Sequence, residues 1–290
     1  MYPHPIEHYA RPASIDEALS LLAQHGAQAR VLAGGQSVMT QLKARSATPR
    51  CLIDINRVAD FAPLAVRAGN LHCGAITRFA AVARDPEVIK HWTAFAQAAR
   101  AIGDRQVRNR GTPIGSLVFA AAWGDIAPAV AVLDGEVDLV SSRGSRSLPC
   151  AAFIEGVGRT ALAADELATA LRLPAPAPNT GSAYIKHTRV AQDRATLGIA
   201  CRVTRARDGS VAAIRIALGG VAIHPSVRLR AAEDRVMGRG MDPATLAAAA
   251  QQAQAEVAMQ SDQLASADYR RALLATLVPR AIELAWTGSA

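Results

Sequence analysis

The sequence is poor in cysteine and in aromatic side chains. Its 290 residues include four cysteines, and Phe, Trp and Tyr together make up 4%. Cys51, Cys73, Cys150 and Cys201 stand far apart, with no Cys-x-x-Cys pair. An iron–sulfur cluster or a zinc site needs several thiolates, usually from close spacings, so neither is expected in this chain. A long chain with so few cysteines is also not a disulfide scaffold. Of the seven histidines only His4 and His8 are four apart, and Pro5 lies between them. Proline there argues against a helical turn presenting both rings to one metal. The metalloprotease spacing His-Glu-x-x-His is missing too, and no metal is expected. The formal net charge is +8, yet no block of five or six Lys/Arg occurs. A basic surface suits an ordinary soluble protein, an anionic ligand or an acidic partner; a nucleic-acid arm is poorly supported. No long apolar run is present either. The longest, Leu117 to Leu133, is broken by Gly124, Asp125 and Pro128 and is too short to span a bilayer. The opening Met1-Tyr2-Pro3-His4-Pro5 lacks the charged and apolar regions of a signal peptide. These absences predict a cytoplasmic protein without membrane insertion.

What is present is a globular pattern, with 50% hydrophobic residues. Ser14-Ile15-Asp16-Glu17 reads as a capping box that opens a helix, and Gly26 closes it. A β-prone run, Ala29 to Leu32, ends at Ala33-Gly34-Gly35, and a helix is predicted from Val38. Cys51 to Ile55 and Leu71 to Ala75 read as strands, His91 to Ile102 as a helix, and Glu136 to Ser141 as a strand before a turn at Arg143-Gly144. Alternating prolines from Pro174 to Pro178 predict an extended linker. The expected domains are therefore 1–174 and 183–290, joined by a linker over 175–182. In the second, Ile199 to Thr204 and Val211 to Leu218 flank Asp208-Gly209, a hairpin signal. Helices follow over about 243–259 and 268–286, and Pro279 should kink or break the last one. The fold class expected is α+β.

Two segments invite a ligand. In Leu32-Ala33-Gly34-Gly35-Gln36-Ser37 a strand ends in two glycines and two small polar residues before a helix. Adjacent glycines allow close backbone approach, and successive N–H groups at a helix start favour a phosphate. An ordinary tight turn would read the same way. In Arg108-Asn109-Arg110-Gly111-Thr112-Pro113-Ile114-Gly115-Ser116, glycines again join hydroxyl residues, now after two arginines. Two such segments could grip a pyrophosphate from both sides.

These residues carry a resemblance. Leu32 to Ser37 resembles the first FAD motif of the flavoprotein (medium) subunit of molybdenum hydroxylases, the carbon monoxide dehydrogenase and xanthine dehydrogenase type. The second segment resembles that family's R-N-R-G-T-I-G-G-S/N. Met1-Tyr2-Pro3, Arg11-Pro12-Ala13-Ser14, Asp54-Ile55, Gly74-Ala75-Ile76-Thr77, Tyr184-Ile185-Lys186 with Asp193, Ala217 to Val221 and the final helix follow in the family's order. The resemblance implies a two-lobed FAD-binding domain of the vanillyl-alcohol-oxidase type, then a small α+β C-terminal domain. It implies FAD as cofactor, and an electron-transfer role without a catalytic side chain. The partners implied are a large molybdenum-cofactor subunit and a small [2Fe–2S] subunit, in a dimer of heterotrimers, with an external electron acceptor. Carried over by residue, Leu32, Ala33, Gly34, Gly35, Gln36 and Ser37 would wrap the pyrophosphate. Thr112, Ile114, Gly115 and Ser116 would form the second cradle. Asp125 would hold ligand hydroxyls, Lys186 would sit near the flavin, and Ile102 and Ala168 would touch FAD. On spacing alone Asp125 reads as a helix N-cap and Lys186 as a solvated strand lysine.

The second segment departs from the family. Thr112-Pro113-Ile114-Gly115 stands where Thr-Ile-Gly-Gly is usual. Ile114 is then expected at a glycine's position with φ > 0, a serious outlier for a β-branched residue, and Pro113 removes a donor. Hence a second expectation is a scaffold subunit with weak or no FAD binding. Stand-alone flavin turnover and nucleic-acid binding rank lower.

Overall fold

The computed structural model describes residues 5–221 and 223–289. The resemblance at Met1-Tyr2-Pro3 and the His4 ring lie outside the described residues.

The first lobe is built on three parallel strands in the order His8–Ala10, Cys51–Asp54, Ala29–Leu32. All four residues of the central strand are buried, as expected for a strand covered on both faces. Helix Ile15–His25 covers the sheet through Ala18, Leu19 and Leu22. Its capping box is shifted by one residue. Ser14 Oγ accepts from the Glu17 amide at 3.2 Å, but the Glu17 carboxylate reaches back to the Ala13 amide at 2.7 Å. Because the strands are parallel, the chain leaves Leu32 and Asp54 at the same edge of the sheet. In open parallel sheets that edge is where ligands bind.

The second lobe holds a five-stranded antiparallel sheet, in the order Ala65–Arg67, Asn70–Gly74, Leu167–Leu173, Glu136–Ser141, Gly144–Pro149. Between Asn70–Gly74 and Glu136–Ser141 the chain forms short helices. The helix predicted from His91 to Ile102 is two helices, Pro86–His91 and Thr93–Ala101. The break is at Trp92, whose backbone leaves the helical region (φ −124°, ψ 50°). Its indole is buried, and its N–H donates to the Pro174 carbonyl at 2.9 Å. Burial of the largest side chain outweighs one turn of helix.

The C-terminal domain is an antiparallel sheet, Thr180–His187, Leu197–Arg205, Val211–Gly219 and Val227–Arg228, with helices Pro243–Glu256 and Ala267–Thr287 packed on it. The hairpin turn forms as predicted, with Gly209 at φ 82° and Asp208 accepting from the Ser210 amide. Thr180, Gly181 and Ser182, expected as linker, are the start of the first strand. Gly181 explains this: a Cβ there would lie 2.2 Å from the Ala285 carbonyl oxygen, so the final helix sits directly against it. That helix runs unbroken through Pro279, so of the expected kink or break the break does not occur. Leu274, Leu277, Val278, Ala281 and Ile282 are buried around it, and this burial offsets the missing backbone bond.

The domains are tied together. Ser182 Oγ accepts from the Ala94 amide at 3.1 Å, and Gln97 accepts from the Tyr184 amide at 2.7 Å. Asp134 binds Arg215 and, at 2.8 Å, Arg202. No helix among the described residues is long and apolar enough to cross a membrane.

Candidate functional site

Strand Ala29–Leu32 stops, and Ala33 to Ser37 lead into helix Val38–Ala44. Gly35 has φ 75°, which a side chain would strain. Gly34 is constrained differently. A Cβ there would lie 2.2 Å from the Arg110 carbonyl oxygen and 2.7 Å from the Gly111 Cα. The two glycine segments read from the sequence therefore touch. The amides of Gly34, Gly35, Gln36 and Ser37 donate to no other group among the described residues. Those of Gly34, Gly35 and Gln36 border a groove of about 400 Å³, lined by Leu32 through Gln36 with Tyr9, Lys43, Asp54, Asn56 and Arg110.

The second segment is helical rather than a loop. Helix Arg105–Arg110 ends at Gly111, and helix Pro113–Phe119 starts at once, with Thr112 as its N-cap. Thr112 Oγ1 accepts from the Gly115 amide at 3.0 Å. The expected outlier at Ile114 is thus corrected. Ile114 lies in a right-handed first turn, 4% exposed in the core. Pro113 takes the first helical position, where an N–H would have no intrahelical partner. The segment offers fewer free amides than the first, because Pro113 has none and Thr112 uses that of Gly115.

A chain of polar contacts joins the segments. Tyr9 donates its hydroxyl to Asp54. Asp54 accepts from the Asn56 amide at 3.0 Å and from Asn56 Nδ2 at 2.5 Å. Asn56 Nδ2 also donates to the Ala33 carbonyl at 2.8 Å. Arg78 donates to Asn56 Oδ1 at 2.5 Å and to the Arg110 carbonyl at 2.6 Å. Burial works against the charge on Asp54, but these donors and Arg11 hold its carboxyl below the usual range.

Asp125 and Lys186 meet at the domain seam. Asp125 occupies the N-cap position of helix Ile126–Val132 but makes no cap bond. Its two oxygens accept instead from the Tyr184 hydroxyl at 2.6 Å and from Lys186 Nζ at 3.0 Å. Lys186 also donates to the Ala101 carbonyl at 3.0 Å and is 8% exposed, so it is no solvated strand lysine. Burial pushes the Asp125 carboxyl up, against the opposing pull of Lys186 and Tyr184. Ile102 follows Ala101 in the chain and is half-buried. Ala168 is buried at a bulge in strand Leu167–Leu173 and does not line the groove. Ser116 and Gly115 stay half-buried on their helix. The seam itself is closed by glycine. The Gly220 amide donates to the Ala122 carbonyl at 2.9 Å, and a Cβ on Gly219 would lie 3.0 Å from the Gly124 carbonyl oxygen.

Residues 4–176 match the FAD binding domain in molybdopterin dehydrogenase, and residues 182–285 match the CO dehydrogenase flavoprotein C-terminal domain. The carbon monoxide dehydrogenase medium chain of Hydrogenophaga pseudoflava is 36% identical over 287 residues, covering 99% of each chain. The nicotine 6-hydroxylase medium subunit of Paenarthrobacter nicotinovorans is 33% identical over 278 residues, covering 96% of each. A solved structure of the Hydrogenophaga pseudoflava carbon monoxide dehydrogenase, lacking the Mo-pyranopterin moiety of its molybdenum cofactor, matches with a TM-score of 0.94. That match has 35% identity and covers 100% of both chains. The chain belongs to the FAD-binding medium subunits of the molybdenum hydroxylases. It is an oxidoreductase subunit, and its cofactor is FAD.

The residues of this medium subunit fit that cofactor. A diphosphate needs unpaired donors and positive charge, and the groove has both. The lining amides of Gly34, Gly35 and Gln36 are free, and Lys43 and Arg110 line it without a carboxylate partner among the described residues. The carboxylate that lines it, Asp54, is already engaged by Tyr9 and Asn56. The space that a Cβ at Gly34 would fill is what lets the two segments come into contact. Sequence reasoning missed Tyr9, Asn56 and Arg78. Asn56 had a signal, since it follows a strand whose end shares the ligand edge of a parallel sheet. Arg78 had none, because only the fold brings it to Arg110.

Proposed function

We propose that this medium subunit takes electrons from a [2Fe–2S] subunit and passes them, through its FAD, to an external acceptor. The complex would include a large molybdenum-cofactor subunit and form a dimer of heterotrimers. The observation that carries the reading is the contact of the two glycine segments around a groove edged by three unpaired amides. When bound, FAD supplies the redox chemistry, and the protein binds and orients it. Leu32, Ala33, Gly34, Gly35, Gln36 and Ser37 would hold the pyrophosphate through backbone N–H groups. Thr112, Ile114, Gly115 and Ser116 would close the other side, with less hydrogen bonding than the first. Lys186, held between Asp125 and the Ala101 carbonyl, would fix a positive charge near the flavin. Asp125 would reach a ligand hydroxyl by exchanging its bond to Tyr184. Ile102 and Ala168 would supply apolar contact. The change from the FAD-binding domain to the C-terminal domain would fall within 175–182.

The test is rapid mixing of a reduced [2Fe–2S] partner subunit with the flavin-loaded chain. Bleaching of the flavin band in step with reoxidation of the cluster is expected. A flavin that stays oxidised beside a reduced cluster would contradict the reading.

A further inference from the structure

The second glycine segment has given up amides, yet the two segments remain fixed against each other. What fixes them is a pair of side chains outside both. Asn56 holds the carbonyl of Ala33 in the first segment, and Arg78 holds the carbonyl of Arg110 in the second. The two side chains bond to each other at 2.5 Å. We propose that Asn56 and Arg78 are positioning residues that clamp Ala33 to Arg110 and so set the width of the cradle that takes the cofactor's diphosphate. This inference rests on the FAD reading of the site.

Three features support it. First, a guanidinium is a rigid planar fork, and Arg78 uses its two terminal nitrogens on two different acceptors. A lysine head on a flexible stem would not fix their separation. Second, both acceptors are neutral, and Arg78 has no carboxylate within ion-pair distance among the described residues. Burial and the neighbouring Arg110 charge lower its proton affinity by more than the Asp54 carboxylate raises it. A half-buried cation without a direct ion pair is only partly compensated by Asp54, and a diphosphate in the adjacent groove would add to that compensation. Third, the clamp is anchored. Asn56 is held by Asp54, which is held by Tyr9, so the chain of contacts runs from the parallel sheet to the helices of the second segment. Arg78 is not among the groove-lining residues and acts through Asn56 and Arg110.

The test uses the purified full chain in three forms: wild type, Arg78→Gln and Arg78→Lys. Binding of FAD, and of ADP as a probe that carries the diphosphate without the flavin, is measured by titration calorimetry. Melting of the FAD-free proteins is measured alongside. The clamp predicts that Arg78→Gln, which cannot reach both acceptors, weakens FAD and ADP in parallel by about tenfold or more, because the cradle loses its set width. Melting of the FAD-free protein should stay near wild type, and Arg78→Lys should recover part of the affinity. Wild-type affinity in Arg78→Gln overturns the clamp. So does a loss of affinity matched by a large fall in melting temperature and no recovery in Arg78→Lys, since that pattern marks a general structural role. If Arg78→Gln does not fold, Asn56→Ser is judged by the same criteria. A wild-type chain that binds neither FAD nor ADP overturns the flavin reading itself.

Discussion

The carboxylate of Asp125 and the ammonium of Lys186 lie 3.0 Å apart, each less than a tenth exposed, in the seam where the first domain meets the C-terminal sheet. The pair does two jobs at once. It joins helix Ile126–Val132 to strand Thr180–His187, and it holds a fixed positive charge beside Ala101.

Removing one partner leaves the other buried without its counter-charge. Lys186→Met should destabilise the fold by about 3–5 kcal/mol at neutral pH. The effect has a pH signature. The Asp125 carboxyl is already raised by burial, and loss of Lys186 raises it further. An acid raised in the folded state contributes stability below its unfolded value, about 3.9, and loses it as pH climbs through the folded value. Urea unfolding should therefore show a larger deficit for Lys186→Met at pH 8 than at pH 5. An equal deficit at both would contradict the assignment.

Gly34 and Gly26 make a paired test of the cradle. A Cβ on Gly34 meets the Arg110 backbone at 2.2 Å, whereas one on Gly26, at φ 50°, meets nothing within 4 Å. Gly34→Ala should cut flavin retention by about tenfold or more, because the backbone of the second segment must move. Gly26→Ala should cost about 1 kcal/mol of stability and leave the flavin in place.

The departure at Pro113-Ile114 yields a prediction opposite to the one its sequence suggests. Restoring the family's Ile-Gly removes a buried isoleucine and puts glycine in the first turn of a helix. The double substitution should destabilise the chain by about 2–5 kcal/mol without tightening FAD binding. Thermal melting and flavin titration of the same sample check both parts. Tighter flavin binding would mean that the helical start is the poorer cradle.

Most of the fold was legible because local signals and burial agree. The Asp208-Gly209 hairpin, the Gly26 helix stop and the buried strand Cys51–Asp54 each follow from residues within a few positions. The errors arose where distant contacts decide. Trp92 breaks a helix because its ring is wanted in the core. Thr180 to Ser182 join a strand because helix Ala267–Thr287 lies against Gly181. Ile114 was expected in a glycine's conformation because the family pattern was laid over it, whereas Thr112 and Pro113 are an ordinary helix start. The same limit applies at the site. The two glycine segments could be read from the sequence, but the contacts that unite them, Asn56 to Ala33 and Arg78 to Arg110, exist only once the lobes have packed.

Arg270 predicts an acid-sensitive segment. Its guanidinium is fully buried and donates to the carbonyls of Thr196, Gln260 and Ala265 and to Asp262 at 2.7 Å. Burial opposes the charge on Asp262, but Arg270 and the amides of Leu264 and Ala265 hold its carboxyl below the usual range. A lowered acid contributes stability above its unfolded value and loses it as pH falls through the folded value. Hydrogen exchange in residues 257–266 should accelerate as pH drops below about 4, after correction for intrinsic rates. In Asp262→Asn that added acid sensitivity should vanish; its persistence would assign it to another group.

The central claim is that this chain holds FAD in the cradle between Gly34 and Arg110. Its most direct test is the visible spectrum of the purified chain after incubation with FAD and desalting. Retained flavin bands, at about one flavin per chain and strongly reduced in Gly34→Ala, are the predicted result. A colourless wild-type protein, folded by circular dichroism and still without flavin after reconstitution, would contradict it.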